Sequence, residues 1–360
     1  MIVRQNLYTS PGGDTTQIDM TAKFLRSLKV EVDILLAESL QEKQDYDIYH
    51  FFNIIRPDDI LPFIINSDIP FVVSTIFVDY YEYETKSRTG VLGFAFRILT
   101  AGQIEYVKAM ARSLKDGIKI KSKYYLLHGH LKAMQFVAKK AKMLLPNSNS
   151  EYSRLSTYLH LNVPYRPIVN AINPDVFNIE VLPDNRYENH VICVGRIEGR
   201  KNQLNLIKAF VGTNINVTLI GKPSPNHMNY YEECKTIASG SDNIRFIDHL
   251  NHDQLVRIYK AAKVHILPSW FETTGLSSLE AGVMSCNIVV TDKGDTKEYY
   301  KDMAYYCDPD DINSIKDSVL QALKDDVNPT LRDYILANYT WQDTANQTLE
   351  AYNSVLQNVI

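Results

Sequence analysis

The chain reads as an α/β protein of two domains, each built on a parallel sheet. Three observations predict this. Its 360 residues leave room for two domains of roughly 150 residues. Both halves alternate short apolar runs with segments of helical period, the pattern of strand-helix-strand units. A proline-punctuated stretch, Val163-Pro-Tyr-Arg-Pro-Ile-Val-Asn-Ala-Ile-Asn-Pro174, separates the two sets.

In the first half the apolar runs predict strands over 2–7, 30–36, 47–52 and 71–78. A helix over 15–28 places Ile18, Ala22, Leu25 and Leu28 on one face. In the second half strands are expected over 190–194, 216–220, 244–247, 264–267 and 288–291, with helices over 203–210 and 254–262 between them. The segment 341–359 is helical in period, with Ala345, Leu349, Tyr352 and Leu356 on one face. The expected organisation is a first domain over 1–168, a second over 169–340, and a C-terminal helix over 341–360 that packs back on the first domain.

Apolar residues make up 45% and charged residues 22% of the chain, the balance of a folded globular protein rather than a disordered one. A net charge of -4 carries no general signal for nucleic acid. Cys193, Cys234, Cys286 and Cys307 are far apart and form no Cys-x-x-Cys pair, which argues against a zinc site or a disulfide framework and for a reducing cytoplasm. The N-terminal residues lack the apolar core of a signal peptide. The apolar run Ile60-Leu-Pro-Phe-Ile-Ile65 is broken by Pro62 and is too short to cross a bilayer.

Open α/β sheets bind ligands in loops at the carboxyl ends of their strands. Four such loops are informative. Thr9-Ser-Pro-Gly-Gly-Asp14 brings Gly12 and Gly13 to the start of a helix, either as a phosphate cradle or as a plain tight turn. Gly195-Arg-Ile-Glu-Gly-Arg-Lys-Asn202 supplies Arg196 and Lys201, suited to a diphosphate or to a solvated basic turn. Gly221-Lys-Pro223 is too short to interpret. The segment from Pro268 to Ser285 sets Glu272 and Glu280 on either side of Thr274, Gly275 and Leu276. There the amides of a first helical turn can take phosphate, while the two carboxylates accept from sugar hydroxyls or are simply solvated.

The residues Val194-Gly-Arg196 with Lys201, Phe271-Glu-Thr-Thr-Gly-Leu-Ser-Ser-Leu-Glu-Ala281 with its Glu-x7-Glu spacing, and Thr291-Asp-Lys-Gly294 leading to Glu298 resemble the retaining glycosyltransferases of family 4. Asn170 to Phe177 resembles that family's hinge, and the helix at Trp341 its crossing helix. The resemblance implies two Rossmann-like domains facing across a cleft, the GT-B arrangement. It implies that Arg196 and Lys201 neutralise a nucleotide diphosphate, that Thr274, Gly275 and Leu276 line it, and that Gly12 and Gly13 approach it. Glu280 would hold the ribose, and Glu272 the transferred sugar beside the developing positive charge. The implied reaction moves a sugar from a nucleotide diphosphate sugar to an acceptor hydroxyl with retention, as a metal-independent hexosyltransferase without cofactor. Asp45-Tyr-Asp47 and Asp308-Pro-Asp310 are poor metal candidates, one preceding a strand and the other holding a turn proline.

Three places depart from the family. Phe77 stands where members commonly carry a histidine. Ser285 and Asn287 replace a usual glycine and proline. His128 and His130 read as an exposed turn rather than as substitutes or ligands.

Between 86 and 142 the chain carries Lys86, Arg88, Arg97, Lys108, Arg112, Lys115, Lys119, Lys121, Lys123, Lys132, Lys139, Lys140 and Lys142 against Glu105 and Asp116. This face suits an anionic acceptor, such as a lipid-linked sugar at the inner membrane surface, or is a solvated set of helices. The expected partners are therefore a nucleotide sugar donor, a glycan or lipid-linked acceptor of surface polysaccharide assembly, and a peripheral contact with anionic membrane, with no nucleic acid. Base recognition is expected near Lys222 and 248–250. A GT-B epimerase and a non-catalytic glycosyltransferase-like partner protein are the alternatives; a nicotinamide dehydrogenase is disfavoured because no Gly-x-Gly-x-x-Gly follows a strand.

Overall fold

The computed structural model describes residues 1–37, 45–65, 67–79, 81–87, 99–116, 120–248 and 250–357. The chain divides into two units. One comprises Met1–Phe77, Glu84–Asn170 and Trp341–Ile360, the other Val78–Tyr83 and Ala171–Thr340.

In the first unit β1 (Ile2–Val3), β2 (Leu35–Leu36), β3 (Tyr49–Phe52), β4 (Phe71–Ser74) and β5 (Met143–Leu145) form a parallel sheet in the order β2-β1-β3-β4-β5. The helices are α1 (Gly13–Ser27), α2 (Pro57–Ile64), α3 (Tyr81–Ser87, whose first residues up to Tyr83 belong to the second unit), α4 (Ala101–Asp116), α5 (Lys123–Lys140) and α6 (Asn149–Leu159). Two expected strands are much shorter than their apolar runs. After Val3 the guanidinium of Arg4 binds Asp14 and the Ser10 carbonyl, which bends the chain into a turn where 2–7 was expected to run on. β2 pairs only Leu35 and Leu36, with Ile2 and Val3, so its ladder ends where β1 ends. Past Ser74 the left-handed backbone of Ile76 (φ 44°) stops β4. Leu25, Val72 and Leu145 pack with Ala345, Tyr352 and Val355 of the C-terminal helix.

In the second unit β6 (Val191–Val194), β7 (Val217–Ile220), β8 (Ile244–Ile247), β9 (Val264–Leu267), β10 (Asn287–Thr291) and β11 (Tyr305–Cys307) are parallel in the order β11-β10-β9-β6-β7-β8. Helices α7 (Gln203–Phe210), α8 (Met228–Ala238), α9 (His252–Ala261), α10 (Leu276–Val283), α11 (Thr296–Tyr300), α12 (Ile312–Lys324) and α13 (Pro329–Asn338) follow, and α14 (Trp341–Gln357) returns to the first unit. Numbered from β6, this is the 3-2-1-4-5-6 order of the doubly wound dinucleotide-binding sheet. Its direction of winding reverses between β6 and β9, and such a reversal leaves a crevice at the strands' carboxyl ends. Every residue of β6, β7, β9 and β10 is buried, as expected for strands covered on both faces.

Candidate active site

The two loops at this switch point are those following β6 and β9. The first runs through Arg196 and Glu198 into a 3-10 turn, Gly199–Lys201. It ends at Asn202, whose left-handed backbone (φ 59°) starts α7. The second carries Trp270 and Glu272 to Gly275, the N-cap of α10. Backbone and side-chain bonds tie them together: the Trp270 amide donates to the Arg200 carbonyl at 2.9 Å, and the Ser277 hydroxyl to the Val194 carbonyl at 2.9 Å.

At the junction Lys201 Nζ lies 2.6 Å from Glu272 Oε2, which also accepts from the Ser269 hydroxyl at 3.0 Å. The Glu272 side chain is nearly buried, so this charge pair is shielded from water. Its backbone is held as firmly. The Glu272 amide donates to the Lys293 carbonyl and its carbonyl accepts from the Asp295 amide. Between these, Gly294 has φ 102°, and a Cβ there would stand 2.0 Å from the Glu272 carbonyl oxygen. Only glycine fits this approach.

Gly275 is left-handed (φ 68°) and turns the chain into α10. The buried Tyr300 hydroxyl donates to the Thr274 and Gly275 carbonyls at 3.0 and 3.2 Å. Thr274 is fully buried, whereas Leu276, the first helical residue, is half-buried. The amides of this first turn point out of the helix end, where the dipole favours an anion. One turn on, Glu280 is half-buried and accepts from the Tyr259 hydroxyl at 3.2 Å. Desolvation pushes its carboxyl up to about 7, although the Tyr259 hydrogen bond favours the charged form.

Beside Arg196, Glu198 is 2% exposed. Arg200 Nε lies 2.6 Å and Arg196 Nη2 3.7 Å from its Oε1, and the Ser224 hydroxyl donates to Oε2 at 2.8 Å. Burial alone would raise this carboxyl, but Arg200 and Arg196 outweigh it and hold it down at about 2.

Arg196, Lys201, Glu272, Thr274, Gly275, Leu276 and Glu280 thus all lie in the second unit on the two switch-point loops and α10. The two glutamates differ from each other: one is paired with a cation, the other with a phenol. Gly12 and Gly13 lie in the first unit as the N-cap and first residue of α1, where the Gly12 amide donates to the Thr15 hydroxyl at 3.0 Å. Phe77 is buried, lies with its ring tilted against that of Tyr158 and donates its amide to Glu151. The expectation of an exposed His-Gly-His turn is corrected. Gly129 kinks α5 (φ 77°), His128 is exposed beside Tyr124, and His130 is buried with Nδ1 3.1 Å from the Tyr125 hydroxyl. Ser285 takes the left-handed backbone (φ 72°) that a glycine would adopt without strain, and Asn287 opens β10 as a buried side chain. Among the described residues no cluster of three or more His, Cys, Asp or Glu could hold a metal ion. His249, in the expected base loop, lies outside the described residues.

Sequence reasoning missed Glu198, Ser269, Tyr259 and Tyr300. The two tyrosines fall on helix faces like any core residue. Glu198, between cations, reads as part of a solvated turn.

The chain has the GT-B fold. It is similar over 99% of its length to sucrose-phosphate synthase from Thermosynechococcus elongatus (98% of that chain, TM-score 0.75, 13% identity). It is also similar over 98% of both chains to HepE from Anabaena, solved in complex with UDP and glucose (TM-score 0.69, 12% identity). Residues 177–341 match the family described as glycosyl transferases group 1, and this span holds every candidate residue of the second unit. The O-antigen chain mannosyltransferase B of Escherichia coli is 27% identical over 180 residues, 46% of each chain. The chain spans about half the length of the curated relatives it matches.

Proposed function

We propose that the protein is a retaining, metal-independent hexosyltransferase that moves a sugar from a nucleotide diphosphate sugar to an acceptor hydroxyl of a lipid-linked or surface-polysaccharide glycan. The observation that carries this reading is the Lys201–Glu272 pair beside the start of α10, with Arg196 on the same loop as Lys201, at the switch point of the second sheet. As the bond to the donor sugar breaks, negative charge grows on the diphosphate. Arg196, Lys201 and the Gly275–Leu276 backbone stabilise it, and being already in place they need no reorganisation. Thr274 shapes the turn, Glu272 meets the sugar and Glu280 the ribose. The relative named as an O-antigen chain mannosyltransferase supports a polysaccharide product.

A charged hydrogen bond is worth about 1.5–3 kcal/mol, so Arg196→Ala should slow transfer roughly tenfold to a hundredfold. Turnover is to be followed on a panel of nucleotide sugars, with the product's anomeric configuration read by NMR. A β-linked product from an α-donor contradicts retention, and unchanged turnover in Arg196→Ala contradicts the diphosphate assignment.

A membrane-side acceptor is favoured by α5. From 120 to 142 the chain has six lysines and no acidic residue. Lys123, Lys132, Lys139 and Lys142 are exposed, as are Leu126 (44%) and Leu127 (80%) ahead of the Gly129 kink. Of the other cations on this face, Lys108 is paired with Glu84 and Glu105. Arg88, Arg97 and Lys119 lie outside the described residues, as do the side chains of Lys86, Arg112 and Lys115. Among the described residues no helix is long and apolar enough to cross a membrane, so the contact proposed is peripheral, at the cytoplasmic face. The chain should co-sediment with phosphatidylglycerol vesicles at low salt and be released as salt screens the attraction. No sedimentation at low salt contradicts this reading.

A further inference from the structure

Glu198 has no task in the donor reading, yet its carboxylate is almost withdrawn from water. A carboxylate in such a place is costly unless it is paired and hydrogen-bonded, and Glu198 is both. Arg200 meets it at 2.6 Å, Ser224 at 2.8 Å and Arg196 at 3.7 Å. The backbone around it is also tied down. The Lys201 amide donates to the Glu198 carbonyl at 2.9 Å, and the loop after β7 is laced on by Ile197 N–H to the Lys222 carbonyl and Ser224 N–H to the Ile197 carbonyl. Arg196 keeps about a third of its side chain open.

A guanidinium is planar, and a carboxylate beside one of its terminal nitrogens limits how the long side chain turns. The other donors then face outward without loss of rotamer freedom on binding. We propose that Glu198 is a positioning residue for the donor: it holds Arg196, through Arg200 and Ser224, in the orientation that receives a nucleoside diphosphate. This rests on the donor reading of the switch-point crevice.

Charge alone predicts the opposite effect, which makes the test discriminating. Glu198→Gln removes a negative charge beside two cations, Arg196 and Arg200, so a purely electrostatic role would tighten diphosphate binding. A positioning role weakens it. Titration calorimetry with UDP, GDP, ADP and CDP is to be run on wild type, Glu198→Gln, Arg196→Ala and the double variant, with thermal unfolding recorded for each. The positioning role predicts about a tenfold loss for Glu198→Gln with the diphosphate that wild type binds best, and less than about a twofold loss when the change is made in the Arg196→Ala background. Unchanged or tighter binding by Glu198→Gln overturns it, as do additive losses. Should Glu198→Gln fail to fold, Glu198→Asp, which keeps the charge and shortens the reach, enters the same cycle with a smaller loss expected and the same non-additivity. If wild type binds none of the four diphosphates, the donor reading itself falls, and this role with it.

Discussion

Glu272 and Glu280 bracket the start of α10, yet they occupy different electrostatic settings. Glu272 faces Lys201 at 2.6 Å and Ser269 at 3.0 Å; Glu280 has the neutral Tyr259 hydroxyl and a carboxyl pushed up to about 7 by desolvation. The sign of the pH effect follows. A folded-state value of about 7 against an ordinary 4.5 means the folded chain holds more protons between those pH values, so this group's contribution to stability falls as pH rises from about 4.5 to 7. In the proposed complex, ribose hydroxyls donating to Glu280 would favour its ionised form and lower its pKa. Nucleotide affinity should therefore rise between pH 6 and 8 and level off beyond, and Glu280→Gln should flatten the rise. Calorimetry across that range checks this; a flat wild-type profile contradicts it. Residue types and spacing were enough to single out Arg196, Lys201, Glu272 and Glu280 as one candidate set, and the structure places them on the two switch-point loops and α10. Glu198 was not legible, since it is buried in a setting that includes Ser224 of another loop, a contact distant along the chain.

At the scale of elements, the second sheet was the more readable. Its central strands β6, β7, β9 and β10 are buried along their whole length and mostly apolar because both faces are covered, and β8 and β9 and helix α7 have the expected bounds. The first sheet was harder, because β1 and β2 are two-residue ladders ended by Arg4 and by register. β5 and β11 are only three residues long, shorter than the periodicity that reveals a strand. Strand order stayed out of reach, being a matter of long-range register; it is the order that puts the loops after β6 and β9 side by side. Gly294 tests how tightly an element holds the site. In Gly294→Ala the new Cβ would meet the Glu272 carbonyl in a backbone with φ 102°. The strain alone costs about 1–3 kcal/mol, and relief requires the Glu272 loop to move. Thermal unfolding should show a lowered midpoint, with transfer reduced beyond what the lost stability explains. A variant with wild-type midpoint and turnover would show that the loop is not held there.

At the scale of the whole molecule, a net charge of -4 conceals the lysine-rich α5 segment, so the average charge says little about what any one face meets. The two units also differ in what they carry. The second holds Arg196, Lys201, Glu272 and Glu280 within its own loops, and it contains the segment that matches glycosyl transferases group 1. The first offers Gly12 and Gly13 at a helix start and the exposed α5 surface. A ligand held by the folded state stabilises it by about 2.7 kcal/mol at a hundredfold excess over Kd, and slows local opening where it binds. The most direct measurement is amide hydrogen exchange with and without a nucleoside diphosphate chosen from UDP, GDP, ADP and CDP. The account predicts new protection over 195–201 and 275–280, weakened by Arg196→Ala; protection confined to other segments, or none with any of the four, would contradict it.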